Sequence, residues 1–206
     1  MEPDPRHMRA LVGSEDARTV DLSVRGVPLT AVHRPVAEQA RLRSGGRALG
    51  SRLGVYQVLQ ALPLGSWVPV DALSEREQAI LPALPAWTRI RRNGWILRLA
   101  DTPVRLDLLV TRGEKWLDAL DRACALGAVA PRMAVCDSLG EDRDRACWEA
   151  DYYGVGLAVR HGSGLRVLVR PRHGVPEPAA ALHWRLAERV HRAAEELGPQ
   201  SSESAQ

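Results

Sequence analysis

"VRLDLLVTRGEKWLDALDRACALGAVAPRMAVCD", Val104 to Asp137, changes its hydrophobic period twice. The opening "VRLDLLVTRG" puts Leu106, Leu108 and Val110 on one face at a spacing of two, as a half-buried strand does. "EKWLDALDRACALG" shifts to helical spacing, with Leu117, Leu120, Ala123 and Cys124 inward and Gly127 as the stop. "APRMAVCD" is a short apolar run that reads as a buried strand. Strand, helix, strand in this order is the mark of an α/β layer.

The pattern continues past Asp137. "SLGEDRDRACWEADYYG" predicts a helix that opens with Ser138 and Glu141 at capping-box spacing and buries Ala146, Ala150 and Tyr153. "VGLAVRHGSGLRVLVRPR" predicts two strands joined at Gly162-Ser163-Gly164. A link with Pro176 and Pro178 leads to a last helix with Leu182, Leu186, Val190 and Leu197 as its stripe.

The preceding residues have a different order. "SRLGVYQVLQAL" (51–62) is a helix with Val55, Val58, Leu59 and Leu62 as its apolar stripe, and "PLGSWVPV" is a short extended piece. "SEREQAILPAL" begins with Ser74 and Glu77 at capping-box spacing and is stopped by Pro82. "TRIRRNGWILRLAD" (88–101) is then a hairpin. Asn93-Gly94 specifies a two-residue type I′ turn, since both residues tolerate positive φ. That turn sets Arg92 opposite Trp95, Arg91 opposite Ile96, Ile90 opposite Leu97 and Arg89 opposite Arg98. The face with Ile90, Trp95 and Leu97 is expected to bury, and the face with Arg89, Arg91 and Arg98 to be basic. Arg89 facing Arg98 is a small like-charge conflict, which an anion or nearby acids would relieve.

Further upstream, "TVDLSVRGVPLTAVH" (19–33) alternates as a strand or hairpin turning near Gly26-Val27-Pro28. "RPVAEQARLRSGG" follows as a short helix, and the first eighteen residues read as frayed. The expected divisions are an N-terminal segment 1–50, a small module 51–102, an α/β domain 103–175, a C-terminal helix 176–198 and a disordered tail 199–206. The fold class is α/β (α+β), a small module plus a mixed-sheet domain.

Composition bounds the function loosely. The chain has 28 Lys and Arg against 25 Asp and Glu, a net +3. Lys115 is the sole lysine, so the chain is arginine-rich, as GC-rich coding alone would make it. There is no apolar run of the ~18 residues a membrane span needs, and the N-terminus has no apolar signal core, so a cytoplasmic protein with no membrane partner is expected. Cys124, Cys136 and Cys147 show no C-x-x-C spacing and read as small buried hydrophobes. The six histidines are scattered without a zinc-binding pair and read as surface residues.

The order of helix, extended piece, helix and basic hairpin over 51–102 resembles a winged-helix module, in which a recognition helix enters the major groove and the hairpin wing touches the backbone. The recognition helix would be "SEREQAIL", whose Glu75 and Glu77 sit poorly against phosphates. Val104 to Arg172 resembles the second half of a restriction-endonuclease-like (PD-(D/E)xK) domain. In that family a strand carries an acidic-x-Lys motif. With Asp107 in the acidic position, Leu109 stands where the lysine belongs. The substitute set is Asp107, Glu114 and Lys115, with Asp101 the nearest upstream acid.

The resemblances imply a nucleic-acid-binding protein, duplex DNA above all, whose nuclease-like domain has lost catalysis. Arg89, Arg91 and Arg98 are the expected contacts, with Arg166 and Arg170 as auxiliaries. No cofactor or metal is expected in that case. One alternative is a Mg²⁺-dependent nuclease centred on Asp107, with Glu114 and Lys115. Another is a protein-interaction or regulatory module, with the last helix docking a protein partner or a second copy.

Overall fold

The computed structural model describes residues 5–162 and 164–198, so the tail expected to be disordered and Ser163 of the last hairpin lie outside it. The chain is α+β. Its elements run α1 (Pro5–Val12), β1 (Arg18–Val24), β2 (Val27–Pro35), α2 (Ala37–Leu42), α3 (Leu53–Ala61), β3 (Trp67–Pro69), α4 (Glu75–Ile80), β4 (Arg89–Arg92) and β5 (Trp95–Arg98). Then come β6 (Val104–Lys115), α5 (Trp116–Ala125), β7 (Arg132–Ser138), α6 (Arg143–Tyr152), β8 (Gly156–His161), β9 (Gly164–Val169) and α7 (Ala180–Glu196). Among the described residues no helix is long and apolar enough to cross a membrane.

The chain divides into two compact units, and neither is continuous in sequence. The larger takes the described residues up to Arg34, Leu106–Pro176 and those from Ala193 on; the smaller takes Pro35–Arg105 and Glu177–Arg192.

The larger unit is built on a mixed six-stranded sheet, β1-β2-β6-β7-β8-β9. Strands β6, β7 and β8 are parallel neighbours joined through α5 and α6, while β1–β2 and β8–β9 are antiparallel hairpins. Alternation along the strands sorts the core into two layers. Ala134, Cys136 and Leu157 meet Trp116, Leu120 and Ala123 of α5 and Ala146 and Ala150 of α6. Leu108, Val110, Met133, Val135 and Ala158 meet Met8 of α1. Gly113 is required where β6 hands over to α5, because a Cβ there would lie 2.8 Å from the backbone nitrogen of Ala119.

The smaller unit carries a three-stranded sheet in the order β3-β5-β4. Asn93 and Gly94 both have positive φ, and the hairpin has the register that the type I′ turn dictates, including Arg89 opposite Arg98. The capping box of α4 is formed: Glu77 accepts from the Ser74 backbone and hydroxyl at 2.8 and 2.7 Å. Ile96, Tyr56, Val58, Leu59 and Leu62 are buried together with Trp184 of α7, whose ring meets Tyr56 edge-on at 6.1 Å.

Several expectations are corrected. Residues 1–50 do not form a separate segment: β1 and β2 join the sheet of the 103–175 region, and Pro35 to Gly50 belong to the smaller unit. Residues expected to be frayed include α1, which seals one face of the sheet with Met8. The final helix does not stand apart either, because Trp184 completes the smaller unit's core. Ser138 does not cap α6; it ends β7, and the helix begins at Arg143. Tyr153 is exposed, and so are Trp148 and Tyr152, which stack at 5.7 Å. In α5 the buried face is turned by one residue, with Trp116 inside and Leu117 outside. His33 is buried rather than on the surface. Only Cys136 among the three free cysteines is fully buried.

Candidate nucleic-acid interface

The hairpin faces are the reverse of those expected. Ile96 is fully buried, so its face turns to the core, while Ile90 and Trp95 on the other face are 46% and 45% exposed. Arg89 and Arg98 share the inward face with Ile96 and are accommodated there by carbonyl oxygens. Arg98 Nη1 donates to the Leu59 carbonyl of α3 at 2.6 Å, its Nη2 lies 3.7 Å from Asp101, and its guanidinium sits 5.3 Å from the Trp184 ring centre. Arg89 donates to the Leu84 carbonyl. A cation at the last turn of α3 satisfies an orphan carbonyl and meets the negative end of the helix dipole. Burial disfavours the charge on both side chains, with Arg91 adding repulsion at Arg89. Arginine starts so high that both stay cationic. They are struts of the fold, and the like-charge conflict between them is relieved by acceptors of the unit itself.

Two arginines remain free for solvent at the hairpin tip, Arg91 and Arg92, both exposed beside Asn93 and Gly94. Arg76 is exposed on α4. No acidic residue occurs between Glu77 and Asp101 in the sequence; Asp101 pairs with Arg98, and Asp71 follows Val70, whose N–H donates to the Gly94 carbonyl at the tip. The outward face holds Trp67, Leu97 and Ile90 in one cross-strand row and Pro69, Trp95 and Arg92 in the next. Sequence reasoning missed Trp67 and Arg92. The alternation of the hairpin was plain, but which face turned inward depended on distant carbonyls.

In the larger unit, Asp107 is clamped. Arg34 of β2 donates to both its carboxylate oxygens, Nε to Oδ2 at 2.8 Å and Nη2 to Oδ1 at 2.6 Å. This bond and the carboxylate charge push Arg34 still higher than arginine's ordinary value. Glu114 and Lys115 lie on the same strand, seven and eight residues further on. Seven residues of strand span roughly 23 Å, and an odd spacing puts Asp107 and Glu114 on opposite faces. The proposed set Asp107, Glu114 and Lys115 is therefore not assembled. Asp101 pairs with Arg98 in the smaller unit. Among the described residues no group of three or more His, Cys, Asp or Glu is placed to hold a metal ion.

A cleft of about 490 Å³ opens at the carboxyl ends of β6, β7 and β8, where α/β sheets commonly take ligands. Arg112, Glu114, Asp118, Arg122, Asp137 and Arg160 line it. Arg160 pairs with Asp137 at 3.1 Å, and Arg122 donates to the Arg112 backbone carbonyl at 2.6 Å. Arg112 reaches across to the Thr30 hydroxyl at 2.8 Å. Arg166 and Arg170 are exposed on and just beyond the edge strand β9.

No protein-family model matches this chain. No curated protein and no solved structure matches it either.

Proposed function

We propose that this protein binds nucleic acid, duplex DNA above all, through the hairpin of its smaller unit, and that its larger unit is a nuclease-like framework that does not cleave. The observation that carries the reading is the acid-free stretch between Glu77 and Asp101, which presents Arg91 and Arg92 at an exposed tip. The strand order β3-β5-β4, with α3 before and α4 within it, resembles that expected of a winged-helix module, which supports reading the hairpin as a wing on the phosphate backbone. Helix α4 has six residues, about 9 Å of helix, which is short for reading a groove. Contact would thus be mainly with phosphates, and affinity should fall steeply with salt.

The non-cleaving half of the reading is supported by the Arg34–Asp107 pair. A carboxylate engaged through both oxygens by a guanidinium is neutralised and poorly placed to hold Mg²⁺. The Mg²⁺-dependent nuclease is the weaker alternative on the same ground.

Fluorescence anisotropy with a labelled duplex at low salt tests the proposal. Binding is expected. Arg91→Ala and Arg92→Ala should each weaken it and reduce the slope of log K against log salt by about 1. Absence of binding at low salt, or affinity indifferent to both substitutions, rejects it.

A further inference from the structure

We infer that the outward face of the three-stranded sheet is a stacking platform for unpaired bases, so that the protein engages single-stranded nucleic acid at a duplex end or opening. The inference rests on the nucleic-acid reading above and deepens it.

The face is unusually apolar for one left to solvent. Trp67 and Trp95 are 44% and 45% exposed, although each indole would lose water on contact with almost any flat partner. Both project from the same side of adjacent strands. Trp67 is opposite Leu97, and Trp95 stands two residues before Leu97, so the two tryptophans are diagonal neighbours. Such neighbours lie about 7–8 Å apart, close to one nucleotide step along an extended strand. Arg92 is directly opposite Trp95, beside the tip, where a cation meets a backbone phosphate when a base lies on the indole.

Charge selects the occupant. Arg92 lies on this face and Arg91 is exposed at the same tip, and the three strands contain no acid. An anionic polymer with flat apolar rings matches both properties. Stacking on indoles together with arginine contacts to phosphate is the general mode of sequence-tolerant single-strand binding. A second copy of the chain would bring the same arginines against themselves across a two-fold interface.

The test compares a labelled fifteen-nucleotide oligothymidine with a blunt fifteen-base-pair duplex, each titrated with the full chain. Trp67→Ala and Trp95→Ala should each weaken oligothymidine binding about tenfold while leaving duplex affinity within a factor of two. Trp67→Phe and Trp95→Phe should restore most of the loss, and circular dichroism should show all four variants folded. Duplex binding without oligothymidine binding, or oligothymidine binding unmoved by both alanine variants, overturns the platform and leaves the duplex reading standing. Binding of neither overturns both. Concentration-dependent dimerisation abolished by Trp95→Ala also overturns the platform, because a second copy would then cover the face.

Discussion

Arg43 and Glu188, 145 positions apart, form a buried ion pair in the smaller unit, with Arg43 Nη2 2.5 Å from Glu188 Oε1. The pair is fully provided with partners. Arg43 also donates to the Gln39 carbonyl and side chain and to the Asp101 carbonyl, and Trp184 Nε1 donates to Glu188 at 3.3 Å. Removing one member leaves the other charge buried. Glu188→Ala and Arg43→Ala should each cost about 3–5 kcal/mol, measured by urea unfolding. Truncation before Glu177 should unfold the smaller unit, because it removes Trp184 and Glu188 together; a truncated chain with undiminished stability would assign α7 to a partner instead.

Arg91 and Arg98 should separate stability from binding. Arg98→Ala deletes the bond to the Leu59 carbonyl and the contact with Trp184, for a loss of about 1–3 kcal/mol. Arg91 is exposed at the tip, so Arg91→Ala should stay within about 0.5 kcal/mol of the parent. For DNA affinity at low salt, Arg91→Ala should have the larger direct effect. Equal thermal midpoints for the two variants would contradict the strut role of Arg98.

Asp107 should matter to the fold and not to cleavage. With Mg²⁺ or Mn²⁺, the parent and Asp107→Asn should leave duplex DNA intact to the same degree. A double-mutant cycle on Arg34 and Asp107 should return a coupling of about 1 kcal/mol, because Arg34 is partly solvated. Cleavage by the parent that Asp107→Asn abolishes would restore the nuclease alternative.

The α4 capping box should make stability depend on pH in the acid range. Hydrogen bonds from the Ser74 hydroxyl and backbone hold the Glu77 carboxyl below its ordinary value. A depressed folded value means that the unfolded chain binds more protons between the two values. The contribution is complete above the unfolded value of about 4.3 and is lost as pH falls through the folded one. The stability gap between the parent and Ser74→Ala should therefore narrow as pH drops from about 6 to about 3, the N-cap bond to the Glu77 backbone persisting. A gap constant with pH would show that Glu77 is not coupled to Ser74.

Cys136 should be chemically silent. It is buried, and burial, with Asp137 nearby, raises its thiol above the ordinary value. Iodoacetamide at neutral pH should leave it unmodified in the native chain and label it in urea, as peptide mass spectrometry would report.

Local rules made much of the fold readable. The type I′ turn at Asn93-Gly94 dictated the hairpin register, and Ser74 with Glu77 dictated the start of α4. The stripe Val55, Val58, Leu59 and Leu62 in α3 is buried as its spacing demanded. Long-range partners were not readable. Nothing in the spacing of Arg34 and Asp107, or of Arg43 and Glu188, announces a bond. The hairpin shows the limit most sharply: its two faces were separable, but carbonyls from Leu59 and Leu84 allowed arginines to turn inward where hydrophobic pattern alone would place Ile90 and Trp95. The joining of β1 and β2 to a sheet resumed only at β6 is likewise a choice made by tertiary packing.

The interleaving of the two units has a consequence for synthesis on the ribosome. The smaller unit has most of its residues by Arg105 but lacks Trp184 and Glu188. Until these arrive, Tyr56 and Arg43 wait with one side uncovered while the whole Leu106–Pro176 segment is translated. The nascent chain must therefore carry an unfinished core for much of its elongation, a window in which a holding chaperone would act.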